Sequence, residues 1–226
     1  MAIWFDLAPR PSLAESFIVE DQLASQGSPE LRLWTHGPAV VAGARDARLP
    51  SFAQAAAAFS DRGLEVHLRS SGGGLVVLDE AVLNVSIAWR SEPLPSMEAA
   101  YAAMHQVLRQ ACRQSGVSPL VSGEVPGSLC PGRSDLAAGG RKLAGVSQRR
   151  RRRFALVHAF FLVGGCADDR IELGQEFYRL AGGPQDSVVS GTMCTLSELC
   201  GQPLTASSFA SEVASAARSC LPGLVR

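Results

Sequence analysis

Arg69-Ser70-Ser71-Gly72-Gly73-Gly74-Leu75-Val76-Val77-Leu78-Asp79 sets three consecutive glycines between two strand-like runs. Without Cβ atoms, such a backbone can approach a ligand closely and turn its N–H groups toward an oxyanion or phosphate. The triplet reads equally as a flexible hairpin turn, and it lacks the GK[ST] ending of a Walker loop. On its N-terminal side, Glu65-Val66-His67-Leu68 alternates polar with apolar residues, as a half-exposed strand does. Further β-like runs lie at 31–34, 39–42, 64–69, 75–78, 82–89, 142–146 and 154–163. Met97, Tyr101, Met104, Leu108 and Ala111 recur at helical steps, which predicts a helix over 96–115 with Ser96 as N-cap and Gly116 as stop. Other helices are expected at 12–25, 52–60 and 207–217. Strands cluster in the middle and helices fall irregularly, so the rhythm of a doubly wound parallel sheet is missing. The pattern predicts an α+β fold with a mixed or antiparallel central sheet flanked by helices. With no internal repeat or long linker, residues 1–226 read as a single domain.

Composition narrows the function. At 46% hydrophobic and 19% charged residues, the chain has enough apolar material for a large core, which excludes general disorder. Its zero net charge argues against a globally basic nucleic-acid binder. The longest apolar run, 154–163, is interrupted by His158 and falls well short of the roughly 20 residues a membrane span needs. Residues 1–10 do not read as a secretion signal. The six cysteines form no CxxC pair and no metal-ligand spacing with the histidines, so no metal is expected and the thiols read as reduced, in a cytoplasmic protein.

One of those cysteines stands apart. Ser128-Leu129-Cys130-Pro131-Gly132-Arg133-Ser134-Asp135-Leu136 places Cys130 in a polar Pro-Gly loop, with Arg133, Arg141 and Lys142 nearby in sequence. Nearby cations stabilise a thiolate, the nucleophilic form, whereas a lone cysteine is otherwise an inert packed residue. Cys112, on the apolar stripe of the 96–115 helix, reads as core, and Cys194 and Cys200 as neighbours in a helical region. His158 interrupts an apolar strand and reads as packed rather than catalytic. His36, His67 and His105 show no partner pattern, so a Cys-His dyad has no support. Arg149 to Arg153 form a cationic hairpin between two strands, either a solvated turn or a docking site for acidic carrier domains.

Together the stretches resemble the biotin/lipoate protein ligase family. The pattern runs R-x-S-G-G-G-x-V-x-x-D-x-x-x-L-N-x-S over 69–86, then S-x-C-P-G-x-x-D-L around Cys130, then G-x-K-x-A-G-x-S-Q-R-R from Gly140. Within it the chain is most similar to cysteine-dependent acyltransferases that move octanoyl groups between lipoyl domains, the octanoyl-[glycine cleavage H protein]:protein transferases. The resemblance implies the family's α+β catalytic domain, with Cys130 as nucleophile and Lys142 holding the acyl carbonyl oxygen and shuttling protons. It implies substrate contacts from Arg69, Ser71, Gly72, Gly73, Gly74, Asp79, Asn84 and Gly145, with the glycine amides helping to hold the oxyanion. No cofactor is expected. The partners implied are lipoyl domains, as in the glycine cleavage H protein and 2-oxoacid dehydrogenase acyltransferase subunits, or acyl carrier protein. Two alternatives remain: an ATP- and Mg-dependent lipoate ligase acting through an acyl-adenylate, and a non-catalytic binder of acyl-carrier domains. Leu78 stands where the ATP-dependent ligases usually carry histidine.

Overall fold

The computed structural model describes residues 1–8, 12–25, 27–69, 72–90 and 92–221. Its first half holds β1 (Ala2–Asp6), α1 (Leu13–Gln22), β2 (Glu30–Trp34), β3 (Ala39–Ala42), α2 (Phe52–Ser60), β4 (Glu65–Leu68), β5 (Val76–Leu78) and β6 (Val82–Trp89). After them come α3 (Met97–Gln114), β7 (Val121–Ser122), β8 (Leu136–Ala138), β9 (Arg141–Arg151), β10 (Phe154–Leu162), α4 (Ala167–Ala181), α5 (Leu196–Cys200) and α6 (Ala206–Cys220). A seven-stranded sheet has the order β1-β2-β6-β10-β9-β8-β7, and a three-stranded sheet the order β4-β3-β5. The β1–β2 and β3–β4 pairs are parallel and the other pairs antiparallel, so the sheets are mixed, as the sequence predicts.

Period-2 alternation decides what each face of the large sheet carries. Leu83, Val85 and Ile87 of β6, with Val157 and Phe161 of β10, pack against Met104 and Leu108 of α3 and Phe209 and Val213 of α6. Asn84, Ser86, His158 and Phe160 alternate with them and so stand on the other face. On that side Trp34, Val40, Phe59, Val77, Phe160 and Phe177 form a second core, closed by the small sheet, α2 and α4. The α3 boundaries follow their sequence signals: Ser96 Oγ accepts the N–H of Ala99 at 3.1 Å, and Gly116 has φ +80° just past the last turn.

Two loops differ from their simplest readings. Both β4 and β5 pair with β3, one on each side, so the glycine triplet crosses the end of β3 and does not close a hairpin. The arginine run is a hairpin, because Phe154 faces Arg151 and leaves Arg152 and Arg153 at the tip. Two carboxylates partly neutralise it. Arg149 and Arg151 both pair with Asp21 of α1, and Arg153 pairs with Glu92 at 3.0 Å.

Candidate active site

Cys130 is half-buried and has φ +49°, a left-handed conformation costing a non-glycine residue roughly 1–2 kcal/mol. Such strain persists only where the surroundings enforce it. Here Lys142 does so from the start of β9. Its Nζ donates to the carbonyl oxygens of Leu129 and Cys130, each at 2.8 Å, and pairs with Asp135 Oδ2 at 2.8 Å. Both partners of that ion pair are sealed from solvent, Lys142 at 0% and Asp135 at 2% exposure. Asp135 also accepts the N–H groups of Gly132 at 2.8 Å and Val146 at 3.0 Å, which ties the 130–135 loop to β9. The ammonium thus has an acceptor for each of its donors, and Lys142 is absent from the cavity wall. This departs from the expected carbonyl-holding role: the lysine grips the backbone at Leu129 and Cys130.

The sulfur faces the glycine crossover. Cys130 Sγ accepts the Gly74 N–H at 3.0 Å and lies 3.4 Å from Arg69 Nη2, which also donates to the Gly74 carbonyl at 2.6 Å. Gly73, at φ +107°, admits no side chain, since a Cβ there would lie 2.5 Å from Arg69 Nη2 and 2.7 Å from Cys130 Sγ. From below, the crossover is held by Tyr178 of α4, whose hydroxyl donates to Asp46 at 3.1 Å and accepts the Leu75 N–H at 3.3 Å. Burial, and then the Asp46 carboxylate, push the Tyr178 hydroxyl well above the usual tyrosine range, so it remains a donor. No histidine bonds the sulfur among the described residues. The other buried thiols are poor nucleophiles: burial pushes Cys112 up to about 12 and Cys194 up to about 11.

Cys130 opens onto a cavity of about 420 Å³ whose apolar wall includes Phe17, Val41, Val76, Leu156 and Phe160, a size within the usual range for small-molecule sites. Arg69, Gly72, Gly73, Asn84 and Gly145 line it too. A Cβ at Gly145 would lie 2.1 Å from the Phe160 ring, so this glycine lets β9 close on that side chain. Asp79, an expected substrate contact, is not on the wall. Its two oxygens accept from Arg170 Nε and Nη2, each at 2.8 Å, which locks α4 to the turn between β5 and β6. Ser71 lies outside the described residues. Asn84 is fully buried, and among the described residues neither polar atom of its amide has a hydrogen-bond partner. Leaving a buried amide unpaired costs about 1–3 kcal/mol, which a ligand bound beside it would offset. We expect Asn84→Leu to raise the thermal unfolding midpoint and slow acyl loading, measured by calorimetry and intact mass. Lower stability with unchanged loading would show that the amide serves the fold.

His158 also stands on the cavity face, which corrects its reading as a packed core residue. Its Nδ1 lies 2.8 Å from Glu20 Oε1, and Ser86 Oγ donates to the same oxygen. Burial alone would raise the Glu20 carboxyl, but the His158 charge and the hydrogen bonds from His158 and Ser86 outweigh it and hold Glu20 below its usual 4.5. A carboxyl with a depressed folded value stabilises the fold above its ordinary range and loses that contribution as pH falls through the folded value. Breaking a buried pair costs about 3 kcal/mol. Glu20→Gln should therefore lower the urea midpoint at pH 7, and its gap from wild type should shrink as pH falls below 4.5. A gap independent of pH would mean that Glu20 acts by packing alone.

Asp135, Tyr178, Asp46 and Glu20 were not singled out by sequence reading. Asp135 had a signal, since it lies in the same motif as Cys130; the other three gave none. Among the described residues, no cluster of histidine, cysteine or acidic side chains could hold a metal ion, and no helix is long and apolar enough to cross a membrane.

Comparison with known proteins adds independent findings. Residues 12–218 match the family model of the lipoyl protein ligase A/B catalytic domain. The octanoyl-[GcvH]:protein N-octanoyltransferase of Anoxybacillus flavithermus is 35% identical over 215 residues, covering 90% of this chain and 77% of the relative. The protein of the same name from Geobacillus kaustophilus is 36% identical over 203 residues, covering 84% of this chain and 71% of the relative. Among solved structures, a lipoate-protein ligase A bound with ATP superposes with a TM-score of 0.66 at 19% identity, covering 100% of this chain and 86% of that one. The bipartite lipoate protein ligase of Thermoplasma acidophilum gives 0.65 at 17% identity, covering 100% and 84%. At such identities these structures speak to the fold alone.

Proposed function

The chain belongs to the lipoyl protein ligase A/B catalytic domain family, and we propose that it transfers octanoyl groups through a thioester on Cys130. It is an acyltransferase of protein lipoylation, the activity named for relatives about a third identical over most of its length. The observation that carries the mechanism is the strained, half-buried Cys130, with its sulfur against the Gly74 N–H and Arg69 at the mouth of an apolar cavity.

In the first step Cys130 Sγ attacks the acyl carbonyl carbon of a donor. The S–C bond forms, the carbonyl π pair moves to oxygen, and collapse expels the donor's leaving group, which takes the thiol proton. In the second step a lysine ε-amine of the acceptor attacks the thioester, an amide forms, and a proton returns to the sulfur. The cavity wall holds the acyl chain, with each buried methylene contributing about 0.8 kcal/mol. Lys142 is a positioning residue, and Arg69, Gly72, Gly73, Gly74, Asn84 and Gly145 surround the bound acyl group. Asp79 serves the scaffold.

We take residues 1–226 as one catalytic domain, in the cytoplasm, with no cofactor needed. Donor and acceptor are lipoyl domains, including those of the glycine cleavage H protein and 2-oxoacid dehydrogenases, with acyl carrier protein as an alternative donor. The test is intact-mass spectrometry after incubation with octanoylated donors, with and without ATP. An adduct of octanoyl mass on Cys130 without ATP is the expected result. Loading only with ATP would favour a ligase working through an acyl-adenylate, and no loading a non-catalytic binder.

A further inference from the structure

We propose that Arg69 is a catalytic residue, the side chain that takes up the negative charge on the acyl oxygen while its carbon is bonded to Cys130. The inference rests on the thioester reading above and assigns a role that the geometry denies to two of the expected donors, Lys142 and the Gly74 N–H. Lys142 has all its donors directed at Leu129, Cys130 and Asp135, behind the nucleophile and off the cavity wall. The Gly74 N–H is directed at the sulfur itself.

Arg69 differs from both. It lines the cavity beside Cys130, and its Nε–H is sealed from solvent yet has no hydrogen-bond partner among the described residues. Its Nη2 is already placed, 3.4 Å from the sulfur and 2.6 Å from the Gly74 carbonyl. The Nε–H and one Nη2–H of a guanidinium form a rigid fork that presents two parallel donors to two neighbouring acceptors. Arg170 uses that edge here, with Nε and Nη2 each 2.8 Å from Asp79. In an acyl-enzyme the sulfur and the acyl oxygen are both bonded to one carbon, so they form such a pair. Nη2 stays on the sulfur and the unpaired Nε–H on the same edge meets the oxygen. As the π pair moves to oxygen, the interaction becomes charge-assisted. Arg69 gives up no proton, so the leaving group is protonated as before. A donor fixed before the reaction and strengthened only in the transition state is the arrangement that accelerates acyl transfer.

The experiment compares two reactions of one sulfur. Acylation by p-nitrophenyl octanoate passes through an oxyanion, whereas alkylation by iodoacetamide displaces iodide at a saturated carbon and forms none. We expect Arg69→Lys, which keeps the charge and loses the fork, to slow the single-turnover nitrophenol burst by about 100-fold. Alkylation of Cys130 should stay within a few-fold of wild type. Arg69→Gln repeats the comparison if lysine disturbs the crossover. Parallel losses in both reactions would overturn the proposal and leave Arg69 a support for the sulfur or its loop. Acylation within three-fold of wild type in both variants would also overturn it. The wild-type burst separates this result from failure of the thioester reading: if the wild-type protein alkylates but is never acylated, both fall.

Discussion

Cys130→Ala should abolish octanoyl transfer while leaving the fold in place. Removing a covalent nucleophile removes the pathway, so the expected loss is on the order of a thousandfold or more. The structural cost is small by comparison. The sulfur sits at a half-exposed position and accepts from the Gly74 N–H and Arg69. Losing a weak sulfur acceptor costs about 1 kcal/mol. Lys142 grips the Cys130 backbone carbonyl, so the loop keeps its hold whatever side chain stands there. Circular dichroism and thermal unfolding should therefore look nearly wild type, with no octanoyl adduct visible by intact mass. Activity within a few-fold of wild type would sink the covalent mechanism. Cys130→Ser should behave almost as badly, because a hydroxyl at neutral pH has far less anionic character and no histidine bonds this position.

The second large effect is expected at Lys142, and its signature is opposite. Lys142→Met should lower both stability and acyl transfer, because the Asp135 carboxylate would remain 2% exposed with no cation beside it. Breaking such a pair from one side costs about 3–5 kcal/mol. For a chain of this length that corresponds to an unfolding midpoint lower by about 10 °C. Activity should fall with it, because the carbonyls of Leu129 and Cys130 would lose the donor that holds Cys130 at φ +49°. Adding Asp135→Asn to Lys142→Met removes the stranded charge, so stability should recover in part while transfer stays low. Calorimetry on the two variants, with single-turnover loading, checks both halves. Full stability in Lys142→Met would show that the pair does not brace the loop. Lys142→Arg is no rescue on this view, because a planar five-donor group does not fit a fully enclosed site built around a point charge.

Much of this molecule is written locally. The 96–115 helix was legible from its spacing, its Ser96 cap and its Gly116 stop, because capping and amphipathic burial are short-range effects. The strands at 82–89 and 154–163 were legible for a similar reason, and the polar Asn84 and Ser86 alternating with buried apolar residues in β6 already marked a face that is not simply core. By contrast α4 escaped. Its buried positions Ile171, Gly174, Phe177, Tyr178 and Ala181 keep helical spacing, but Gly174 and the buried Arg170 dilute the stripe. β1 escaped too, since Trp4 and Phe5 remain exposed and its pairing is made to β2 across α1.

The sequence by itself determined the α+β class, the polar loop around Cys130 and the glycine triplet between two strands, because each follows from residues close together in the chain. Only the tertiary structure decided which donors those motifs leave open. Arg69 and Cys130 are 61 residues apart and Glu20 and His158 are 138 apart, yet each pair sits within contact distance. Lys142 and Arg69 are both cations flanking a motif loop, the first after the cysteine loop and the second before the glycine triplet. Packing sets the first behind Cys130, fully enclosed against Asp135, and the second before the sulfur with an N–H unpaired among the described residues. The reason is geometric. A residue's type and spacing fix what it can donate, but the partner that accepts is fixed only when β9, the crossover and the 130–135 loop close on one another.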